Sequence, residues 1–374
     1  MAPLFSRQPF KGLYIIYFVL KLLPLSVFYS IRFSFNAFRP IREWNFTICF
    51  VNAICKHVFH YMTVTRTTGL DGVLSDQKKA GSRYTLVNPA DSRTYTSVLA
   101  QGLAQPATVG GIWFPNAPPK QIPPGQKVIL HIPGGAFVLA FGTQEFGQVI
   151  SEALIPDLGV GASYMFFPQY RISDGSPKAR FPAAVQDILT VYLYILSLGV
   201  SPKDVILSGD SAGGNLALAL LRYLEDQNVH PLPGAAMAWS PWIHVTHAAV
   251  SDYDSYPNAQ RDVLVRSLLQ WGVESYIPST PLARYALPYI SPLHHPFKTS
   301  VPLWLCAGTG EALHEQVRSF AQEMVAENDE HLVRFHGAPL ASHGLIQAHK
   351  TIGMTKELRE AIADAREFFE ENGV

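Results

Sequence analysis

The chain has 374 residues, of which 48% are hydrophobic and 16% charged, so it carries enough apolar material for one large core. Lys and Arg number 29 and Asp and Glu also number 29, so no net charge attracts a nucleic acid. The three cysteines, Cys49, Cys55 and Cys306, form no C-x-x-C pair, which argues against a zinc site or a disulfide framework. We expect one large domain with an additional segment, no metal or other cofactor and no nucleic-acid partner.

The N-terminal segment is almost wholly apolar from Leu13 to Phe33, about the length of a membrane-spanning helix. Lys21 lies near its middle, where a lysine costs roughly 2.5–3.5 kcal/mol on membrane-insertion scales, and Pro24 can kink the helix. No small-residue cleavage site follows, so we do not expect a cleaved signal peptide. A membrane anchor, an interfacial helix and a helix packed on the rest of the protein all remain open.

The flanks of this segment are basic on both sides, so the positive-inside rule does not settle its orientation. Asn45-Phe46-Thr47 is a glycosylation acceptor only if that side faces a lumen. The next apolar stretch, Trp44 to Val64, contains a lysine and two histidines and predicts a packed helix rather than a second span. We expect residues 1–43 to form a hydrophobic or membrane-anchor segment and residues 44–100 a helical cap contribution and a linker.

Residues 101–374 alternate short apolar runs with helical patterns, after a polar, turn-rich passage near Asp71 to Arg93. This alternation is typical of an α/β fold with a mostly parallel sheet flanked by helices. Helices are predicted at Ala183 to Leu196, at Asn215 to Glu225 and, at the chain end, at Met354 to Phe369. An aromatic, proline-containing insertion at about 243–288 interrupts the alternation and predicts a lid. The predicted strands are Gly110 to Phe114, Lys127 to Ile132, Ser163 to Phe167, Asp204 to Ser208, Ala235 to Trp239, Leu303 to Ala307 and Leu332 to Phe335.

The pattern Gly209-x-Ser211-x-Gly213 lies between a predicted strand and a predicted helix. Such a turn lifts the serine hydroxyl clear of the sheet and places the N–H groups of a helix N-terminus beside it. The turn is so sharp that a side chain two residues away on either side would collide, which explains both glycines. Ser211 is therefore the predicted nucleophile.

A glycine loop, His131 to Phe137, follows the strand at Lys127. A loop at this position can aim backbone N–H groups at the oxyanion that forms when the serine attacks a carbonyl. The predicted donors of this oxyanion hole are the N–H groups of Gly134, Gly135, Ala136 and Ala212.

A serine hydroxyl needs a base, and in this arrangement an acid and then a histidine follow the serine along the chain. His343 follows the last predicted strand, in a loop suited to an exposed imidazole. Glu311 follows the strand at Leu303 and would hold the imidazole and stabilise its cation. Glu315 and Asp329 are the alternative acids.

These motifs together resemble the hormone-sensitive-lipase branch of the α/β hydrolases, which also contains arylacetamide deacetylase and the steryl acetyl hydrolases. The resemblance runs from about Val109 to Phe369. Besides Gly-Asp-Ser-Ala-Gly-Gly, it rests on three further motifs in the family's order: Tyr170-Arg171 with Phe181-Pro182-Ala183-Ala184 and Asp187, Ser240-Pro241-Trp242, and Ser291-Pro292-Leu293.

Three positions depart from the family. Pro133 stands where the family has the loop histidine, Ala136 replaces the last loop glycine, and Glu311 stands where the family has aspartate. The resemblance implies an α/β-hydrolase fold with a helical lid built from N-terminal residues and the insertion. In membrane-anchored relatives one N-terminal hydrophobic helix carries a catalytic domain that faces the lumen of the endoplasmic reticulum.

We expect a serine esterase or deacetylase for an apolar or aromatic small-molecule ester, acting through an acyl-enzyme. A lipase, lactonase or thioesterase of lipid or secondary metabolism is the alternative within enzymes. A non-catalytic small-molecule receptor on the same fold is the alternative from another class. We expect a single-pass membrane protein of the endoplasmic reticulum, or else a cytoplasmic protein associated with a membrane.

Overall fold

An eight-stranded sheet organises the residues that the computed structural model describes, 3–278 and 283–374. The strands are β1 (Tyr84–Val87), β2 (Val109–Phe114), β3 (Lys127–Ile132), β4 (Ala162–Gln169), β5 (Val205–Asp210), β6 (Ala235–Trp239), β7 (Leu303–Gly308) and β8 (Val333–Ala338). Their spatial order is β1-β2-β4-β3-β5-β6-β7-β8. The β1–β2 and β2–β4 pairs are antiparallel and all the others are parallel. The prediction of a mostly parallel α/β sheet is confirmed.

Helices cover both faces of this sheet, and those predicted from the sequence occur with slightly different ends. The helices are α1 (Phe10–Ser34), α2 (Phe46–Thr65), α3 (Leu70–Ala80), α4 (Gln144–Leu158), α5 (Ala183–Ser197), α6 (Ala212–Gln227), α7 (His247–Asp252), α8 (Arg266–Tyr276), α9 (Ala283–Ile290), α10 (His314–Glu327), α11 (Leu345–Ile352) and α12 (Thr355–Glu371).

Two apolar cores lie on opposite faces of the sheet because neighbouring side chains of a strand point to opposite faces. In β5, Val205 and Leu207 join the core under α5 and α6, whereas Ile206 joins the core under α4 and α12. All three side chains are fully buried. A strand buried on both faces reads as a continuous apolar run, which is why the sequence revealed these strands.

The polar passage near Asp71 to Arg93 contains two elements that the sequence did not reveal, α3 and β1. β1 has only four residues at the edge of the sheet; Leu86 is 58% exposed and only Val87 is buried. A short, half-exposed edge strand carries almost no apolar pattern. The sheet therefore begins inside the stretch predicted as a cap contribution and linker.

The N-terminal helices α1 and α2 pack against each other. Tyr14 and Phe18 of α1 stack on Tyr61 near the end of α2, whereas Tyr29 contacts His57 one turn earlier, so the two helices run antiparallel. The side chain of Asn45 caps α2 by accepting from the N–H of Ile48.

The predicted insertion contains α7, α8 and most of α9, while its residues 279–282 lie outside the described residues. α8 packs on α2. The N-terminal segment and the insertion therefore meet above the end of the sheet where β5 gives way to α6.

Candidate active site

Ser211 stands alone between the end of β5 at Asp210 and the start of α6 at Ala212. Its backbone has φ 52° and ψ −119°, a conformation that is strained for a residue with a side chain. A Cβ on Gly209 would lie 2.3 Å from the carbonyl oxygen of Gly213, and one on Gly213 would lie 2.0 Å from that of Ile132. Both glycines are therefore required by close approach of the backbone, as the motif predicts.

His343 brings its imidazole to the serine from the loop after β8. Its Nε2 lies 2.9 Å from Ser211 Oγ, which is hydrogen-bond distance. Its Nδ1 lies 3.3 Å from Glu311 Oε2, which is within ion-pair distance, but the two groups are not aligned for a hydrogen bond. The structure thus brings Ser211, His343 and Glu311 into one chain of contacts.

Charge and burial act in opposite directions on this histidine. Burial by itself lowers the pKa of His343, but Glu311, Asp262 and Asp210 outweigh it and raise that pKa above its ordinary value. Burial also raises the pKa of the Glu311 carboxyl, and its contact with His343 offsets only part of that effect. The site is therefore built to favour a protonated imidazole once a proton has been transferred to it.

The alternative acids lie elsewhere. Glu315 forms ion pairs with Arg318 and His314 on α10, and its carboxylate is half exposed. Asp329 is exposed at the end of that helix. Of the carboxylates considered from the sequence, Glu311 is the one that contacts His343 Nδ1.

The four predicted donor residues surround the serine. In the part of the chain that the structure describes, the backbone N–H groups of Gly134, Gly135, Ala136 and Ala212 donate no hydrogen bond. A Cβ on Gly134 would lie 3.0 Å from Ser211 Cβ, and Ala212 is the first residue of α6. Gly135 and Ala136 line the same cavity as Ser211. These N–H groups are free to bind an oxyanion.

Tyr170 anchors the loop of residues 133–137, which we call the donor loop. Its buried hydroxyl donates to the carbonyl oxygens of Pro133 at 3.0 Å and Gly134 at 3.3 Å. The neighbouring Arg171 donates to the buried carboxylate of Asp187, so this motif fixes the loop from behind. Pro133 therefore occupies the family's histidine position in a loop that a tyrosine holds.

A buried polar network behind the nucleophile was not found from the sequence. His131 lies with Nδ1 2.8 Å from Ser208 Oγ and Nε2 3.2 Å from Asp210 Oδ1. Gln347 donates to the other carboxylate oxygen of Asp210 at 2.5 Å. The dipeptide Asp210-Ser211 and the histidine just before the donor loop were visible signals, but their pairing depends on the register of β3 with β5.

Asp262 of the insertion is the second missed residue. Its buried carboxylate accepts from the backbone N–H of His343 at 2.9 Å and from that of Ala312 at 3.0 Å. It therefore joins the lid to the two loops that carry the acid and the histidine. One aspartate in a polar stretch gives no sequence signal for such a contact.

A cavity of about 240 Å³ opens onto Ser211 and His343. Its walls are mostly apolar and come from several parts of the chain, among them α2 with Cys55 and Phe59, α8 with Leu268, α11, and the turns around Ser211. Within residues 3–278 and 283–374, no cluster of three or more His, Cys, Asp or Glu side chains is arranged to hold a metal ion.

The class of this protein is defined by a serine in the sharp turn between a parallel strand and a helix, within hydrogen-bond distance of a histidine that follows the last strand. A family model described as alpha/beta hydrolase fold matches residues 129–346, and the chain belongs to that family.

The chain is 31% identical over 196 residues to an acetyl-hydrolase of Streptomyces hygroscopicus, covering 52% of this chain and 61% of the relative. It is 29% identical over 198 residues to an esterase of Acinetobacter venetianus, covering 53% and 61%. The chain thus spans about three-fifths of the length of these curated relatives. A solved esterase from the bacterial hormone-sensitive lipase family shares 23% identity and the fold, with a TM-score of 0.57, covering 86% of this chain and 97% of that one. The resemblance to the hormone-sensitive-lipase branch is confirmed.

Proposed function

We propose that the chain is a serine carboxylic-ester hydrolase. The observation that carries this proposal is the 2.9 Å approach of His343 Nε2 to Ser211 Oγ at the floor of an apolar cavity. Relatives named acetyl-hydrolase and esterase support the same reaction class.

In the proposed mechanism Ser211 Oγ attacks the ester carbonyl carbon while His343 Nε2 accepts the hydroxyl proton. The carbonyl oxygen becomes an oxyanion that accepts hydrogen bonds from the donor loop and from the N–H of Ala212. Glu311 stabilises the imidazolium, which then protonates the departing alcohol. A water molecule, deprotonated by His343, releases the acid from the acyl-enzyme by the same steps in reverse.

The proposed substrate is a small apolar or aromatic ester with a short acyl group such as acetate. The cavity of about 240 Å³ is smaller than the roughly 300–1,000 Å³ of pockets that hold drug-sized ligands. A long acyl chain would have to extend beyond these walls. This size favours an esterase over the lipase alternative, and the histidine within reach of the serine favours an enzyme over the receptor alternative.

We further propose that α1 holds the protein on a membrane, as a single-pass anchor of the endoplasmic reticulum. α1 is long and apolar enough to cross a membrane, with a mean hydropathy of 1.8 and no buried residue in its most apolar window. The glycosylation proposal for Asn45 depends on a lumenal orientation. Its side-chain nitrogen lies 3.5 Å from the carbonyl oxygen of Ile352, so attachment of a glycan requires this contact to open.

The test compares wild type with Ser211→Ala on the p-nitrophenyl esters of acetate, butyrate and octanoate, with fluorophosphonate labelling in parallel. We expect wild type to prefer the acetate and to be labelled, and the variant to lose both properties. Ser197→Ala, which removes an exposed hydroxyl at the end of α5, is the matched control and should match wild type. Hydrolysis and labelling that persist in Ser211→Ala would refute the assignment.

A further inference from the structure

A second cavity, of about 510 Å³, lies where the C-terminal end of α1 meets α2. α2 contributes Lys56 and His57 to this cavity, while it contributes Cys55 and Phe59 to the catalytic cavity. The remaining walls come from residues 37–40 and from the insertion at Gln260 and Arg261. We call this cavity the basic groove; it lies against a different face of α2 from the catalytic cavity.

The basic groove is lined by four cationic side chains, Arg32, Arg39, Lys56 and Arg261, and by no aspartate or glutamate. Among the described residues, none of the four forms an ion pair with an aspartate or a glutamate. Arg39 donates to the carbonyl oxygens of Phe33 and Trp44, and Lys56 to that of Ala259. Four cations that line one cavity, with no carboxylate among the lining residues, form a site for an anion.

Carboxylate partners are available to cations in other parts of the described chain. Lys and Arg side chains there form thirteen ion-pair contacts with Asp or Glu, and the four cations of the basic groove take part in none of them. Burial lowers the pKa of Lys56, and the charges of Asp262 and Asp254 in the insertion offset part of this effect. Asp262 accepts three backbone N–H groups and does not line the groove, so the four lining cations outnumber the two carboxylates that act on Lys56.

The surface next to the basic groove is apolar. One face of α1 is exposed along its length, with Leu13, Leu20, Val27 and Ile31 each more than half exposed. Phe38 lies in the groove wall and is also more than half exposed. An apolar helix face that ends at a cluster of cations is complementary to a phospholipid layer, whose acyl chains lie beside its anionic head groups.

We propose that the basic groove binds the phosphate of an anionic phospholipid, at the surface of the membrane that holds α1. The guanidinium groups of Arg32 and Arg261 are exposed at the groove and can each present two N–H donors to phosphate oxygens. Lys56 adds a third charge to the lining of the groove. α2 lies between the groove and the catalytic cavity and lines both. A lipid bound in the groove would therefore hold this wall of the catalytic cavity against the membrane.

The test measures which lipid the full chain retains. The Ser211→Ala protein, chosen so that it does not hydrolyse the probes, is equilibrated in detergent with equal amounts of phosphatidylglycerol and phosphatidylcholine that carry identical acyl chains. After gel filtration the bound lipids are quantified by mass spectrometry. We expect phosphatidylglycerol to be enriched, and Arg32→Gln/Arg261→Gln to bring the ratio close to one, a fall of up to about 30-fold for two surface cations.

The matched control is Arg7→Gln/Arg42→Gln, which removes two exposed arginines on either side of α1 that do not line the groove. It should keep most of the enrichment, and thermal melting should show both double variants to be folded. Equal loss in the two variants would mean diffuse attraction and would overturn the proposal. Equal retention of both lipids by the parent protein would overturn it as well.

Discussion

Replacement of Glu311 by glutamine tests the acid of the candidate site, because it removes a charge and keeps nearly the same shape. Unit charges 3.3 Å apart interact by about 5 kcal/mol at an effective dielectric constant of about 20. Glutamine can still orient the imidazole, so part of this energy is retained. With about 1.4 kcal/mol for each factor of ten, we expect kcat on a short ester to fall about 100- to 1,000-fold.

The same variant should change the pH dependence. His343 acts as a base only when it is neutral, and its raised pKa places the acid limb of kcat/KM above the ordinary imidazole value of 6.5. Glu311 makes the largest of the contributions that raise the pKa of His343, so loss of its charge lowers that pKa relative to wild type. The acid limb of Glu311→Gln should therefore move to lower pH while the rate at its plateau falls.

The assay is the pH profile of p-nitrophenyl acetate hydrolysis for wild type, Glu311→Gln and the control Glu315→Gln. Glu315 lies one helical turn further on and pairs with Arg318, so its variant should behave as wild type. If Glu311→Gln kept both its rate and its acid limb, Glu311 would not be the acid of this site.

Two further variants test the sharp turn at Ser211 and the donor loop. Gly213→Ala should fail to fold or lose most of its activity, because its Cβ would lie 2.0 Å from the carbonyl oxygen of Ile132. The control is Gly72→Ala, whose Cβ would make only ordinary contacts. A Gly213→Ala protein that melts and reacts as wild type does would contradict this expectation. Tyr170→Phe should lower the free energy of unfolding by about 1–3 kcal/mol, since two buried carbonyl groups lose a donor, and should also lower kcat. Denaturant unfolding and ester assays measure these two effects. The control is Tyr285→Phe, because Tyr285 is exposed. If the two tyrosine variants had equal stability and equal rates, Tyr170 would not anchor the donor loop.

The sequence determined the parts of this protein that depend on local pattern. β3 and β6 have the predicted ends, because strands buried on both faces are continuous apolar runs between turn residues. Ser211 was found because its strained turn demands glycine at two fixed positions. Glu311 and His343 were placed by their order after the last two predicted strands, and the structure brings His343 to the serine and Glu311 to His343.

The tertiary structure alone decided which distant residues meet. His131 contacts Asp210 only because β3 and β5 are neighbours in the sheet, and Asp262 reaches His343 only because the insertion folds back over the end of the sheet. The apolar length of α1 left its surroundings open, whereas its packing along α2 creates the basic groove. Such contacts depend on register and on long-range packing, and neither leaves a periodic signal in the residues involved.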